Sequence, residues 1–290
     1  MQIHNVDQAA GIRRLNHPRP VRVIAVTSGK GGVGKTNVAV NLGVALSRQG
    51  RRTALLDADM GLANVDILLG LQPRFNLSHV IAGQKSLDEI LVEGPEGLRI
   101  VPAASGIQQM AELTPVEQAG LIRAFSELRL PLEVLIVDTA AGISATVVNF
   151  ARACQEIVVV VCDEPTSLTD AYAFIKLLYR DYGLYQFQVL CNQVRSAEQG
   201  RQLFEKLYRV TDRYLDVALR YFGAVPHDEA VRKAVQQQRP FVTAFPGSPA
   251  SQAIQGLARK IDHWPVQDTP SGQLAFFVER MIQYSAEALV

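Results

Sequence analysis

The sequence predicts an α/β fold, in which a doubly wound, mostly parallel sheet carries helices on both faces. Three observations predict it. Strand-like and helix-like segments alternate between residue 21 and about residue 262, a glycine-rich loop joins the first strand to the first helix, and several strands end in a polar residue. Ligands bind beyond the carboxyl ends of the strands in such sheets, so the polar strand ends predict a binding site at that edge.

The predicted strands are short apolar runs, as is typical of parallel strands that are buried on both faces. They span residues 21–27, 53–57, 98–102, 134–138, 157–162, 188–192 and 221–225. Apolar residues recur at helical spacing after the glycine-rich loop, which predicts the first helix over residues 37–46 and its end near Gly50. Farther on, Ser167 and Asp170 have the spacing of a capping box and predict a helix that begins there.

The chain divides into three predicted parts. Residues 21–264 form the sheet-containing domain, residues 1–20 form a mobile segment with a proline-containing linker, and residues 265–290 form an amphipathic helix. A chain of 290 residues that is 48% hydrophobic and 20% charged is long enough for a large core. Its N-terminus lacks the apolar core of a signal peptide, and no apolar run approaches the roughly 20 residues of a membrane span. We therefore expect a cytoplasmic protein.

The glycine-rich loop satisfies the phosphate-loop pattern G-x-x-x-x-G-K-[ST]. Glycines allow consecutive backbone N–H groups to face a phosphate, because a Cβ would block the required turn. The lysine of the pattern reaches the β- and γ-phosphate oxygens, and the threonine hydroxyl ligates Mg²⁺. The sequence therefore predicts a site for a nucleoside triphosphate and Mg²⁺. Its predicted binding residues are Gly29, Lys30, Gly31, Gly32, Val33, Gly34, Lys35, Thr36 and Asn37.

Aspartates follow two of the predicted strands and are candidates for metal binding and catalysis. Asp57 and Asp138 are expected to complete the Mg²⁺ shell with Thr36, and Asp59 to orient a water molecule for attack on the γ-phosphate. The backbone N–H of Gly142 is expected to approach the γ-phosphate. The alternative is that these aspartates only cap loops and helices.

Together these motifs resemble the MinD/ParA family of deviant phosphate-loop ATPases. The matching stretches are K-G-G-V-G-K-T at residues 30–36, L-L-D-A-D-M-G-L-A-N-V-D at residues 55–66 and D-T-A-A-G at residues 138–142. The resemblance implies hydrolysis of ATP to ADP, with Asp59, Lys30 and Lys35 as catalytic residues. It also implies that Lys30 reaches the partner's nucleotide in a homodimer that forms in the ATP state.

The same resemblance implies an adenine contact on the far side of the loop. Asn192 would supply it, since a purine edge needs an amide that can both donate and accept hydrogen bonds. Pro226, His227 and Asp228 would complete the contact. The alternative for His227 and Asp228 is an ordinary turn after a strand.

The N-terminal segment resembles the activator element of the flagellar branch of this family, which stimulates the signal-recognition-type GTPase FlhF. The matching residues are Asp7, Gln8, Ala9 and Arg13, and Ile12 stands where the element has leucine. Isolated helices of this length are marginal in water, so we expect the segment to stay mobile until a partner orders it. The alternative is an incidental frayed terminus.

The C-terminal segment predicts an amphipathic helix with two possible uses. Its apolar face comprises Leu274, Phe277, Val278, Met281 and Ile282. Such a helix can lie in the interface of a lipid bilayer or pack on the domain as a core helix. The resemblance favours a switchable helix that binds the inner face of the cell membrane reversibly.

The flagellar branch implies a regulator of flagellar number or placement, with a flagellar C-ring protein and the master transcription activator of the flagellar genes as further partners. The alternative is a partition ATPase that binds DNA non-specifically, which requires a basic surface. The net charge of +1 does not favour it, so no direct DNA binding is expected. An iron–sulfur carrier of the same fold would need paired cysteines, whereas Cys154, Cys162 and Cys191 are widely spaced.

Overall fold

A computed structural model describes residues 21–59, 64–102, 114–264 and 274–287 of the chain. Eight strands form one sheet in the order β3-β4-β2-β5-β1-β6-β7-β8. All pairings are parallel except that of β3 with β4, which is antiparallel. The predicted doubly wound α/β fold is confirmed. The predicted activator segment within residues 1–20 lies outside the described residues.

The strands coincide with the predicted ones and are longer at several ends. They are β1 (Arg22–Ser28), β2 (Thr53–Ala58), β3 (Val92–Glu93), β4 (Arg99–Pro102), β5 (Val134–Ala141), β6 (Glu156–Val161), β7 (Gln186–Val194) and β8 (Ala218–Pro226). Strand β3 was not predicted, because two residues carry too little pattern to be distinguished from a loop.

The helices connect the strands and cover both faces of the sheet. They are α1 (Lys35–Arg48), α2 (Asn64–Leu69), α3 (Leu77–Ile81), α4 (Leu87–Ile90), α5 (Pro115–Ser126), α6 (Ala145–Ala153), α7 (Pro165–Tyr182), α8 (Ala197–Tyr214), α9 (Glu229–Gln236), α10 (Phe241–Ala244), α11 (Pro249–Ile261) and α12 (Leu274–Glu287). None of these described helices is both long and apolar enough to cross a membrane.

The start of α7 differs from the prediction. Its N-cap is Glu164 and its first turn contains Pro165, a residue that suits this position because it has no N–H to satisfy. The Ser167 hydroxyl accepts a hydrogen bond from the backbone N–H of Cys162 at 3.1 Å. The predicted capping box of Ser167 and Asp170 is therefore wrong, since the serine binds the preceding loop.

Alternation along the strands builds a separate core on each face of the sheet. In β1, Ile24 and Val26 belong to the core beneath α1 and α11, whereas Val23 and Ala25 belong to the core on the opposite face. Both sets are buried, which explains why the strand is apolar at consecutive positions.

Strand β1 is the point at which the sheet reverses its winding. It lies between β5 and β6. Strands β2 to β5 lie on one side of β1, and the later strands β6 to β8 lie on its other side. A crevice forms at the carboxyl ends of the strands at such a reversal, and ligands of this class of fold bind there. The glycine-rich loop leaves β1 at this place.

Helix α12 packs against the domain. The predicted apolar face is buried in the same core as Leu121 of α5 and Phe150 of α6, and the Phe150 and Phe277 rings lie 6.5 Å apart. Near the C-terminal end of α12, Glu287 pairs with Arg152 of α6 at 3.3 Å. The Arg152 guanidinium also lies 3.6 Å from the centre of the Tyr284 ring. Core packing, the alternative for this helix, is what the structure shows.

A matched pair of valines tests this docking. Val278 on α12 is 0% exposed and Val116 on α5 is 81% exposed. Val278→Ala should lower the free energy of unfolding by about 2 kcal/mol, because it removes two buried methyl groups and leaves a cavity. Val116→Ala should change it by less than about 0.5 kcal/mol. Urea unfolding measures both, and equal effects would show that α12 is not packed in solution.

Candidate nucleotide-binding site

The phosphate loop lies between the end of β1 and the start of α1. Gly32 and Gly34 have φ angles of 81° and 89°, which residues with a Cβ rarely adopt. Gly34 is also the N-cap of α1, so the loop ends at the positive end of the helix dipole, where an anion is favoured.

Two glycines of the loop are also required by close packing. A Cβ on Gly34 would lie 2.5 Å from the amide nitrogen of Asn192, and a Cβ on Gly29 would lie 2.2 Å from the carbonyl carbon of Asp170 in α7. Both distances are shorter than van der Waals contact. The loop is therefore fixed against β7 on one side and α7 on the other.

Lys35 lies beside the buried carboxylate of Asp138, and Asp57 occupies the matching position on the neighbouring strand. Asp57 of β2 and Asp138 of β5 are register partners, and all three side chains are buried. Burial raises the pKa of Asp57 and of Asp138, each to about 7. Burial lowers the pKa of Lys35, and the negative charges of Asp138 and Asp59 oppose this shift.

The chemistry of this cluster fits a bound Mg²⁺. Within the described residues, neither carboxylate oxygen of Asp138 has a hydrogen-bond partner of ordinary geometry, although the nearby Thr36 hydroxyl favours the charged form. Buried carboxylate oxygens without a donor are costly unless a cation compensates them. Over the same residues no three His, Cys, Asp or Glu side chains converge. Mg²⁺ in phosphate sites needs no such set, because it takes few protein ligands.

Asp59 lies just beyond β2, near the predicted metal residues. Its backbone N–H donates to the Asp57 carboxylate at 3.3 Å, and Asp57 also accepts from the backbone of Val65. The two aspartates are thereby held in fixed relation across the strand end. Residues 60–63, which follow in the family motif, lie outside the described part of the chain.

The second lysine of the loop is turned toward α7. Lys30 Nζ donates to a carboxylate oxygen of Glu164 and, at 3.0 Å, to the hydroxyl of Thr166. The hydrogen bond to Glu164 raises the pKa of Lys30. Sequence reasoning missed both partners, because the helix start that brings them together was placed too late.

Gly142 adopts a φ angle of 97°, and its N–H already has a hydrogen-bond partner within the protein. It donates to the carbonyl oxygen of Ser28 at 2.9 Å. Two residues later Ser144 is the N-cap of helix α6, which begins at Ala145. The expected contact with a γ-phosphate would require this hydrogen bond to break.

The residues predicted to bind adenine converge on a cavity of about 190 Å³ next to the loop. The structure brings together the four residues for which an adenine contact is predicted, Asn192, Pro226, His227 and Asp228, and places Asn37 of α1 beside them. The lining residues that the sequence did not indicate are Gln193, Val231, Arg232 and Phe241 among others. They come from β7, α9 and α10, and only the tertiary structure places these elements beside the loop.

Within this cavity, Asn192 and Asp228 already have protein partners. The Asn192 amide nitrogen donates to the Val33 carbonyl at 2.7 Å, which leaves its oxygen available as an acceptor. The Asp228 carboxylate accepts from the backbone N–H groups of Ala230 at 2.9 Å and Ala250 at 3.1 Å. Asp228 thus caps the starts of α9 and α11, and its role toward a nucleotide stays a prediction.

Comparison with known proteins identifies the family. The family model described as ParA, NUBPL iron-transfer P-loop NTPase, matches residues 20–262. The chain belongs to the ParA/MinD family of P-loop ATPases. Antiactivator FleN of Pseudomonas aeruginosa is 58% identical over 275 residues, which cover 95% of this chain and 98% of that protein. Flagellum site-determining protein YlxH of Helicobacter pylori is 31% identical over 91% of this chain and 90% of its own length.

Solved structures confirm the fold. MinD of Aquifex aeolicus superposes with a TM-score of 0.67 at 25% identity, over 85% of this chain and 98% of that one. MinD of Pyrococcus horikoshii, solved with Mg-ADP, gives a TM-score of 0.65 at 26% identity, over 83% and 96% of the two chains. All three cysteines of the chain, Cys154, Cys162 and Cys191, are buried, free thiols.

The buried carboxylates predict how stability depends on pH. Their folded pKa values of about 7 exceed the unfolded value, so their stabilisation is complete below about pH 4 and lost as pH rises through about 7. Asp138→Asn should therefore stabilise the nucleotide-free, Mg²⁺-free protein at pH 8, by about 1–3 kcal/mol, and flatten the decline between pH 5 and 8.

Thermal unfolding across this pH range, with and without Mg-ATP, measures the effect. The wild type should gain stability from Mg-ATP, and Asp138→Asn should lose most of that gain. The exposed Asp212 on α8 provides the control, and Asp212→Asn should behave as the wild type. A pH profile that Asp138→Asn leaves unchanged would contradict the assigned charge state.

Proposed function

We propose that this protein is an ATP-dependent dimerising switch that hydrolyses ATP to ADP and phosphate and regulates flagellar number and placement. The observation that carries the proposal is the separation of the two loop lysines. Lys35 is buried beside Asp138, whereas Lys30 is partly exposed and is held by Glu164 and Thr166 at the rim of the site. A cation at the rim is available to a nucleotide in a second subunit.

The residues of the site divide the work of hydrolysis. The loop N–H groups and Lys35 would hold the phosphates, and Thr36, Asp138 and Asp57 would hold Mg²⁺, with Asp57 acting through water. Mg²⁺ and ATP supply the charge neutralisation and the phosphoryl group. Asp59 orients the attacking water, and Lys30 from the partner neutralises charge that develops on the phosphates.

The flagellar role rests on the relatives, of which one is named an antiactivator and another a flagellum site-determining protein. We accordingly propose the flagellar master transcription activator, a C-ring protein and the GTPase FlhF as partners. FlhF would bind through Asp7, Gln8, Ala9, Ile12 and Arg13.

The proposal also divides the chain into three parts, with limits at residues 1–20, 21–264 and 265–290.

Reversible membrane association is proposed for α12. Its apolar face is buried, so binding to lipid requires the helix to leave the domain. Arg152 restrains it, since its guanidinium lies 3.6 Å from the Tyr284 ring centre and 4.2 Å from the Tyr182 ring centre and also pairs with Glu287. Arg280 on α12 donates in turn to the backbone carbonyl of Arg152.

Asp59→Ala tests the catalytic assignment. We expect the rate of ATP hydrolysis to fall at least about 100-fold, because a positioned acid–base group is lost, while nucleotide binding persists. With Mg-ATP the variant should accumulate as a dimer, measured by size-exclusion chromatography with light scattering. Lys30→Ala should instead remain monomeric with ATP. Wild-type activity in Asp59→Ala would overturn its role, and a dimeric Lys30→Ala would overturn the dimer switch.

Arg152→Ala tests the restraint on α12. Loss of about 1–2 kcal/mol of ring and ion-pair contacts should increase the released fraction of the helix about five- to thirtyfold. Flotation with vesicles of phosphatidylethanolamine and phosphatidylglycerol, without nucleotide, should then recover more protein than for the wild type. Arg123→Ala is the control, because Arg123 on α5 is exposed and its ion pair is with Glu127, at the end of the same helix. Equal flotation of all three proteins would contradict the proposal.

A further inference from the structure

Gln193 has an unusual backbone conformation at the edge of the cavity next to the phosphate loop. Its φ angle is 57°, in the left-handed region that glycine tolerates best and other residues rarely adopt. It lies in β7 where the register with β8 shifts between Cys191 and Val194. A bulge explains why one residue must take this conformation, but it does not explain why that residue is glutamine.

Two other non-glycine residues among those described have positive φ angles, and both lie outside this cavity. Glu96 is in the short turn before β4, and Gln238 follows α9 with its amide nitrogen donating to the Ile67 carbonyl at 2.9 Å. Gln193 differs because it lines the cavity, and no hydrogen bond links its amide to any described residue. Unfavourable backbone conformations concentrate where a side chain must be aimed at a ligand.

The amide of Gln193 lies over the phosphate loop, next to that of Asn192. Its nitrogen is 3.6 Å from the position that a Cβ on Gly34 would take, and the Asn192 nitrogen is 2.5 Å from the same point. The bond from Asn192 to the Val33 carbonyl fixes which way its amide faces. Asn192 therefore presents an oxygen acceptor, and Gln193 adds a free donor beside it.

This pairing of an acceptor and a donor distinguishes the two purines. Adenine presents the N6 amino donor beside the N7 acceptor, whereas guanine presents O6 and N7, which are both acceptors. A fixed amide oxygen would accept from adenine N6 and would repel guanine O6. The adjacent amide nitrogen would donate to the adenine ring nitrogen.

We propose that Gln193 is a specificity-determining residue, whose left-handed backbone aims its amide at the nucleobase so that Gln193 and Asn192 together select adenine over guanine. The inference rests on the proposed binding of ATP and adds the residue that reads the base. The inference predicts that the Gln193 side chain favours nucleotide binding, whereas its left-handed backbone conformation lowers the stability of the fold. Replacement by glycine should relieve the backbone and remove the base contact.

The experiment compares Gln193→Gly with Gln238→Gly, a matched control that changes another left-handed glutamine outside the cavity. Dissociation constants for ATP and GTP with Mg²⁺ are measured by competition against a fluorescent nucleotide, and thermal unfolding is measured without nucleotide. Gln193→Gly should weaken ATP binding about three- to tenfold, the value of one hydrogen bond, and reduce the preference for ATP over GTP. Its unfolding temperature should equal or exceed that of the wild type.

The control should alter stability alone and keep the wild-type preference for ATP. An unchanged preference in Gln193→Gly would overturn the inference and leave Gln193 as a residue of the bulge. A wild-type protein that binds neither nucleotide would overturn the proposed function itself, which separates the two failures. A fall in preference shared by both variants would also overturn the inference, because it would reflect a general loosening of the fold.

Discussion

The close approach of the phosphate loop to its two neighbours is the constraint on which the rest of the site depends. At Gly29 and Gly34 there is no room for a Cβ, because the backbone of α7 and the amide of Asn192 occupy that space. One loop therefore sets the position of the helix start that holds Lys30 and of the end of β7 that lines the cavity next to the loop. A side chain at Gly29 would meet the backbone of α7, and one at Gly34 would meet the Asn192 side chain, whose amide is held by its hydrogen bond to the Val33 carbonyl.

Electrostatics add a second layer to this arrangement. Register pairing places Asp57 and Asp138 side by side at the reversal point of the sheet, and burial there makes their charges costly without a cation. These buried carboxylates therefore lower the stability of the metal-free protein at the place where we propose that a metal and phosphates bind. Sites with strained or uncompensated groups are expected where function, not folding, selects the residues.

Helix α6 links this site to the C-terminal helix. It begins beside Gly142, whose N–H is bonded to Ser28 at the root of the phosphate loop, and near its end Phe150 and Arg152 contact α12. Gly142 and the contacts that hold α12 thus lie at opposite ends of one short helix. The apolar face that predicted a membrane helix is also the face that a core requires, because burial in lipid and burial in protein demand the same side chains.

The sequence by itself determined the fold class, the strand order along the chain, the phosphate loop and the aspartates at the strand ends. These features are local: each needs only a few residues at fixed spacing, as at Gly29, Lys35 and Asp138. The tertiary structure alone decided that Glu164 and Thr166 hold Lys30, that Asp228 caps two helices and that Gln193 lines the cavity next to the phosphate loop. The physical reason is that these contacts join elements far apart in the chain. Whether such elements meet depends on the order of the strands and on packing, which a local sequence pattern does not predict.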